Sequence, residues 1–308
     1  LNTVTSIIIE KLDTGVPLID SSTRELFIRG GKQFRASLVL LSSGLKGPLP
    51  EGVFNVAAAA EIIHGATLIH DDIIDHALLR RGGKSIPLKW GNKISVLAGD
   101  FLYVIGLELT ITDGNQELFP VMVDGTKDMV KGELFQLQNA NFDHITEEQY
   151  FTTIYLKTAR FMATCAKLGA IKAGYSTEEC EKLYQYGINI GYAFQIVDDN
   201  LDIEESAEAN KDTANDFADG KVTLPIIYLY NHSVDDDKQK IINSLKNPDK
   251  NNWNYLKDSL EQSGALDYTK ELAHSYIDKA KQLIAGFEDS HCKSLLLELA
   301  ENVINRKY

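Results

Sequence analysis

From Glu51 to Leu79 the chain runs with a helical repeat of apolar residues that fill most of the helix circumference. A helix with no polar face has to be enclosed by other elements. The remaining sequence supplies candidates for that enclosure. Helical periodicity marks Val16 to Ile28, with Pro17 near its start, and resumes over Lys32 to Ser43 after the break at Gly30-Gly31. It continues over Ile94 to Ile111 and Leu118 to Gln138. Thr146 with Gln149, and Ser176 with Glu179, have capping-box spacing and each opens a further helix. More helices follow Pro225 to near Asn305. Strand signals are scarce, and no Pro/Ser-rich linker divides the chain. The expectation is an all-α protein, a single large bundle of antiparallel helices spanning residues 1–308.

Two of these apolar helices are interrupted by the same acidic pattern. Asp71-Asp72-Ile73-Ile74-Asp75 closes the first, and Asp198-Asp199-Asn200-Leu201-Asp202 follows the apolar run Tyr192 to Val197. Residues four apart share a helix face, so Asp71 pairs with Asp75 and Asp198 with Asp202. Like charges at that spacing weaken a helix unless a cation lies between them. One such cluster in an acidic chain can be a solvated surface. Two, each set into an apolar stripe, point to divalent metals held from opposite walls. Arg80 and Arg81 follow the first cluster, and Lys211 and Lys221 the second. Carboxylate-bound metal together with Arg and Lys is what a diphosphate group requires.

Other residues are weaker signals singly. In Gly30-Gly31-Lys32-Gln33-Phe34-Arg35, the glycines can be a helix break with two surface cations, or the anion-binding start of a helix with Lys32 and Arg35 three apart on one face. His64 lies two turns before Asp71 on the same face; it can be a satisfied core histidine or part of a site. Arg80 and Arg81 are adjacent, so on a helix they diverge by about 100° and can serve two anions. Lys157-Thr158 sits inside an apolar helix, where an unpaired lysine is costly. Gln195 shares a face with Asp198 and Asp199.

The net charge of −13 argues against a nucleic-acid partner. Three cysteines with no CxxC pattern fit a reducing, cytoplasmic setting, and no signal-like segment opens the sequence. The apolar stretch near Phe101 to Thr112 is short for a membrane span and contains Glu108, which leaves peripheral membrane contact open.

The segments GGKQFR, HGATLIHDDIIDHALLRRG, GNKISVLAGDFLY, KGELFQLQ, YLKTA, GYAFQIVDDNLD and DGKVTLP occur in this order. In combination they resemble the trans (E-type) polyprenyl diphosphate synthases, from about Gly15 to the end, and most of all the medium- and long-chain bacterial members such as octaprenyl diphosphate synthases. The resemblance implies helices around a central cavity and head-to-tail condensation of isopentenyl diphosphate onto an allylic diphosphate. It implies Mg²⁺, three ions, two at the first cluster and one at the second. Asp71 and Asp75 match metal ligands with Asp72 in support, and Asp198, Asp199 and Asp202 match the second set, Asp198 foremost. Lys32, Arg35, His64 and Arg81 match positions holding isopentenyl diphosphate. Arg80, Lys157, Thr158, Gln195 and Lys221 match positions holding the allylic diphosphate, and Lys211 and Asp216 fall in the family's flexible segment. A homodimer is implied as well.

Two departures stand out: Gln33 and Ala36 replace an Arg and a Pro of the family pattern. In short-chain relatives a bulky aromatic near the fifth residue before the first cluster plugs the product path. Here that residue is Ala66, and Thr67, Ile63 and Ala60 trace the same path back from Asp71, so a medium or long product is expected. Competing readings are a short-chain synthase (geranylgeranyl or farnesyl diphosphate), a terpene cyclase, a non-catalytic subunit of a heteromeric synthase, and a helical scaffold. The cyclase would carry Asn/Asp, Ser/Thr and Glu at intervals of four in place of DDNLD, and the subunit would tend to lose the aspartates and paired cations kept here.

Overall fold

A computed structural model describes the chain except for residues 81, 113, 140–145, 209–213 and 307–308, and the side chains of 205–208. Arg81 and Lys211 therefore lie outside the described residues. The described chain is all-α save for one antiparallel ribbon of two-residue strands, β1 (Leu79–Arg80) and β2 (Gly83–Lys84). It divides into two compact units.

The first unit comprises residues 1–126, 162–184 and 286–296. Its axis is α4 (Val53–Ile74), whose Ala57, Ala58, Ala59 and Ala60 are all fully buried. Around α4 pack α1 (Asn2–Lys11), α3 (Phe34–Ser43), α5 (Ile86–Trp90) and above all α6 (Asn92–Thr112). The helix α2 (Pro17–Ile28) lies on α1 and α6. The α4–α6 contact is close because Gly106 has no side chain. A Cβ there would meet Ile63 Cγ1 at 2.5 Å and the Ala59 carbonyl at 3.2 Å. Both α4 and α6 are long and apolar enough to cross a bilayer, yet α4 is the buried centre of this unit.

Three boundaries differ from the sequence reading. Residues 2–11 form α1, which the periodicity did not single out. The helix expected to reach Leu79 stops at Ile74, since His76 takes a left-handed φ of 50° and the following residues turn into the ribbon. Lys32 lies before α3, whose start is preceded by Gln33 at φ 44°, so Lys32 and Arg35 do not share a helix face. Gln33 instead spans to α1, where its Nε2 donates to Thr5 Oγ1 at 2.7 Å.

The second unit comprises residues 127–161, 185–285 and 297–308. It takes in most of α7 (Leu118–Gln138), α8 (Glu147–Ile154), the greater part of α10 (Thr177–Glu208) and α11 (Asn215–Ala218). Together with α11, the helices α12 (Leu224–His232), α13 (Asp235–Lys246), α14 (Lys250–Ser263) and α15 (Ala265–Ile284) build a core of Phe217, Ile226, Ile241, Trp253, Leu256 and Ala265. The Phe217 and Trp253 rings lie 5.2 Å apart. Between α8 and α9 (Arg160–Lys172) the helix expected to run unbroken passes through one π turn, Tyr155–Ala159.

Both expected capping residues act. Thr146 Oγ1 accepts from the Gln149 amide at 3.2 Å. Ser176 Oγ accepts from the Glu179 amide at 3.3 Å, and Glu179 Oε2 returns to the Ser176 amide at 2.9 Å. Glu179 also pairs with Lys46 at 2.8 Å. The Lys46 hydrogen bond first, then the Ser176 amide and hydroxyl, bring its carboxyl from 4.5 down to about 2. The folded form thus holds the charge more strongly, a gain complete above the ordinary value and lost as pH falls toward 2. Glu179→Gln should lower the melting temperature by a constant amount from neutral pH to about 5, with the gap closing on further acidification. Thermal melts across that range check it, and a gap that persists at the acid end would refute it.

Candidate active site

The first aspartate cluster ends α4 at the helix's negative pole, with no basic residue in the last turn. Three carboxylates there add to the helix dipole, so the local field calls for cations. Part of the answer is Arg80, carried on β1. Its Nε donates to Asp72 Oδ1 at 2.7 Å and its Nη2 lies 2.5 Å from the same oxygen. Asp72 is 1% exposed; burial pushes its carboxyl up, and Arg80 opposes that. Asp71 and Asp75 are half-buried, one turn apart, and the Asp75 amide donates to the Asp71 carbonyl at 2.8 Å. On α6, burial and then the charges of Asp71 and Asp100 raise the Tyr103 hydroxyl. Asp71 and Asp75 thus form an all-oxygen donor pair in a negative field, which suits a hard cation such as Mg²⁺. Among the described residues, no three His, Cys, Asp or Glu side chains already converge on one point.

Because Arg80 lies on a strand, the expected helical divergence of Arg80 and Arg81 does not apply.

The start of α3 is not an open anion site. Glu61, buried on α4, accepts from the amides of Arg35 and Ala36, both at 3.0 Å. The protein's own carboxylate fills the place a phosphate would take. The cations at this end are the side chains of Arg35, on the first turn, and Lys32, exposed in the loop before it. His64 is half-buried, with its Nδ1 3.4 Å from Thr67 Oγ1. Ala60, Ile63 and Ala66 are fully buried and Thr67 half-buried, and Ile63 is committed to the contact with α6.

In the second unit the three aspartates of α10 meet different fates. Asp198 is 38% exposed and lies 3.7 Å from Arg306. Asp199, about 100° further round the helix, turns inward. Its two oxygens accept from Tyr150 Oη at 2.6 Å and Gln195 Nε2 at 2.9 Å. Asp202 caps α11, accepting from the amides of Asn215 and Asp216 at 3.2 and 2.8 Å. Asp199, which the resemblance places among the metal ligands, has both oxygens hydrogen-bonded, and Asp202 has its own bonded at α11. Burial and the Asp216 charge raise the Asp199 carboxyl well above the usual range, against the bonds from Tyr150 and Gln195. Asp216 itself is raised to about 6 by burial, opposed by Lys221. Lys221 lies 3.2 Å from Asp219 and 3.7 Å from Asp216.

The π turn sets Lys157 and Thr158. Glycines flank it closely: a Cβ at Gly132 would sit 2.6 Å from the Lys157 nitrogen, and one at Gly191 2.3 Å from Ala159 Cα. Single π turns recur at functional sites because they re-aim side chains within a helix. Lys157 pairs with Glu133 and donates to Gln136 Oε1 at 3.3 Å. Thr158 Oγ1 donates to Gln195 Oε1 at 2.9 Å. A chain of hydrogen bonds thus links Thr158, Gln195, Asp199 and Tyr150. Glu133, Gln136 and Tyr150 escaped the sequence reading. The first two had a signal, since they lie three apart within the quoted KGELFQLQ segment; Tyr150 had none.

The sequence pattern of the polyprenyl synthetase family matches residues 16–262. The chain is 33% identical to the octaprenyl diphosphate synthase of Escherichia coli, over 98% of this chain and 94% of that protein. It is 34% identical to a short chain isoprenyl diphosphate synthase of Methanothermobacter thermautotrophicus, over 93% and 90%. A polyprenyl synthase of Caulobacter crescentus, crystallised with calcium and isoprenyl diphosphate, superposes with a TM-score of 0.92 at 31% identity, covering 99% and 94%.

Tyr150→Phe should lower stability by about 1–3 kcal/mol, because the buried Asp199 loses a donor it cannot replace with water. Urea unfolding checks it, and an unchanged midpoint would show the bond to be dispensable.

Proposed function

The chain belongs to the polyprenyl synthetase family and is a prenyltransferase making polyprenyl diphosphates, and we propose from this how its own residues divide the work. The family pattern runs through both compact units, so residues 1–308 are assigned to one synthase domain. The observation that carries the site assignment is the Asp71–Asp75 pair at the negative pole of α4, with Arg80 turned onto Asp72.

Magnesium is the assigned ion, two at Asp71 and Asp75 and one at the second cluster, where Asp198 has the exposed carboxylate. The calcium of the Caulobacter enzyme, another oxygen-seeking divalent cation, supports this choice. When bound, the ions take up negative charge that the departing diphosphate develops. Arg80, Lys157 and Lys221 hold the allylic diphosphate, and Lys157 is aimed by Glu133 and Gln136. Thr158 donates its hydroxyl hydrogen bond to Gln195, which leaves the threonine oxygen to act as an acceptor that stabilises a developing allylic cation. Lys32, Arg35, His64 and Arg81 hold isopentenyl diphosphate so that its double bond attacks that cation; close placement supplies much of the rate. The C–O bond of the primer breaks, the new C–C bond forms, and the released diphosphate takes the final proton. Water has to be kept from the cation, which it would otherwise quench.

The product is assigned to the medium or long class, from the small Ala66 at the position a plug would occupy. The Methanothermobacter relative favours the short-chain alternative. A homodimer is supported by Leu97, Val104 and Ile111, which lie 68, 63 and 57% exposed at every seventh position of α6 and would be covered by a second copy. Three free cysteines support a reducing, cytoplasmic location. Release of an apolar product accords with peripheral membrane contact.

The purified chain, given farnesyl diphosphate, labelled isopentenyl diphosphate and Mg²⁺, should release a product longer than twenty carbons, read by mass spectrometry. Asp71→Ala and Asp198→Ala should each cut turnover by roughly a hundredfold or more with the helical spectrum unchanged. Near-normal turnover at limiting Mg²⁺ would overturn the metal assignment. In a separate test, Ala66→Tyr should shorten the product while the first condensation survives. A wild-type product of fifteen or twenty carbons, or an unchanged distribution in Ala66→Tyr, would overturn the open path.

A further inference from the structure

The ribbon that carries Arg80 is too short to hold its own position. Its ladder is two residues a side, Leu79 with Lys84 and Arg80 with Gly83, and an isolated pair of strands is marginal even when longer. Its place must be fixed from outside. At its base, Ser85 donates to the Ala77 carbonyl through Oγ, at 2.5 Å, and to the Leu78 carbonyl through its amide, at 3.0 Å. The other hold is Arg29.

Arg29 follows α2 directly, its side chain 25% exposed. Its Nη1 donates to the Lys84 carbonyl at 2.9 Å and to the Arg80 carbonyl at 3.3 Å, one on each strand. Its Nη2 pairs with Glu25, one turn back on α2. The other oxygen of Glu25 accepts from Lys89 of α5 at 2.7 Å. The Lys89 hydrogen bond and the Arg29 charge hold the Glu25 carboxyl below its usual range against partial burial. The ribbon has also made room for the guanidinium: a Cβ at Gly83 would lie 2.4 Å from it. The planar fork holds its donors in fixed directions, so two carbonyls and a carboxylate are bridged in one set geometry that a freely rotating ammonium does not impose.

We propose that Arg29 is a positioning residue for the primer diphosphate: it clamps both strands of the ribbon and so sets where Arg80 stands. The proposal rests on the reading of Arg80 as a contact to the allylic diphosphate. Arg29 also adjoins Gly30-Gly31-Lys32, so one side chain ties the loop bearing Lys32 to the ribbon bearing Arg80. Glu25 acts behind it by fixing the guanidinium plane.

The test is a kinetic cycle. Arg29→Met keeps the apolar stem and removes the fork. It should raise KM for farnesyl diphosphate about tenfold while kcat stays within about threefold, the signature of lost binding and not lost chemistry. Gly83→Ala should reproduce the KM rise without touching the charge, by pushing the guanidinium off the carbonyls. In an Arg80→Ala background, Arg29→Met should add little, because the residue it positions is gone. Melting temperatures of all variants identify any that fail to fold, and Gly83→Ala then carries the comparison. A KM unchanged in both Arg29→Met and Gly83→Ala, or losses that add fully on top of Arg80→Ala, would overturn the proposal. If Arg80→Ala alone leaves primer KM unchanged, the reading of Arg80 falls and the proposal with it. A rise in Arg80→Ala with none in Arg29→Met sinks the proposal and spares the reading.

Discussion

The charge left at the end of α4 is the constraint on which the first unit turns. An apolar helix needs covering on every side, and α6 covers it closely because Gly106 yields its volume to Ile63. The same helix then ends in three carboxylates at its negative pole. Burying one of them, Asp72, is tolerable only with a cation in contact, and Arg80 supplies it. The ribbon after α4 exists to bring that arginine back, and Arg29 and Ser85 hold the ribbon. Asp71 and Asp75 add the other two carboxylates at this pole.

The second cluster has the same spacing in sequence and a different solution. Asp198 is exposed, Asp199 is drawn inward to Tyr150 and Gln195, and Asp202 caps α11. Buried and bonded on both oxygens, Asp199 serves as an anchor for the Gln195 amide, which in turn receives the Thr158 hydroxyl. That network orients neutral groups around the π turn.

Lys157 shows the same economy. A lysine on an apolar helix is costly, and Glu133 and Gln136 offset that cost while aiming the ammonium. The π turn lets adjacent residues of one helix carry both this cation and the Thr158 hydroxyl, and Gly132 and Gly191 leave it the space.

Periodicity and spacing in the sequence determined the all-α class, the apolar α4, the two aspartate pairs and the capping residues Thr146 and Ser176, because each is a local relation between residues a turn or less apart. The family pattern was legible in the order of the motifs. What the sequence could not decide is which carboxylate faces where. Asp199 and Asp198 are neighbours in the chain, and it is Asp199 that meets Tyr150 and Gln195 in the interior. The same holds for Glu61, whose role at the start of α3 comes from a contact between residues 26 positions apart. The end of α4 at Ile74 was hidden too, since helix propensity favours continuing, and the turn at His76 is held by the return of Arg80 to Asp72 and of Ser85 to the Ala77 and Leu78 carbonyls. Burial and long-range hydrogen bonding settle such choices, and they depend on which chain segments the packed core brings together.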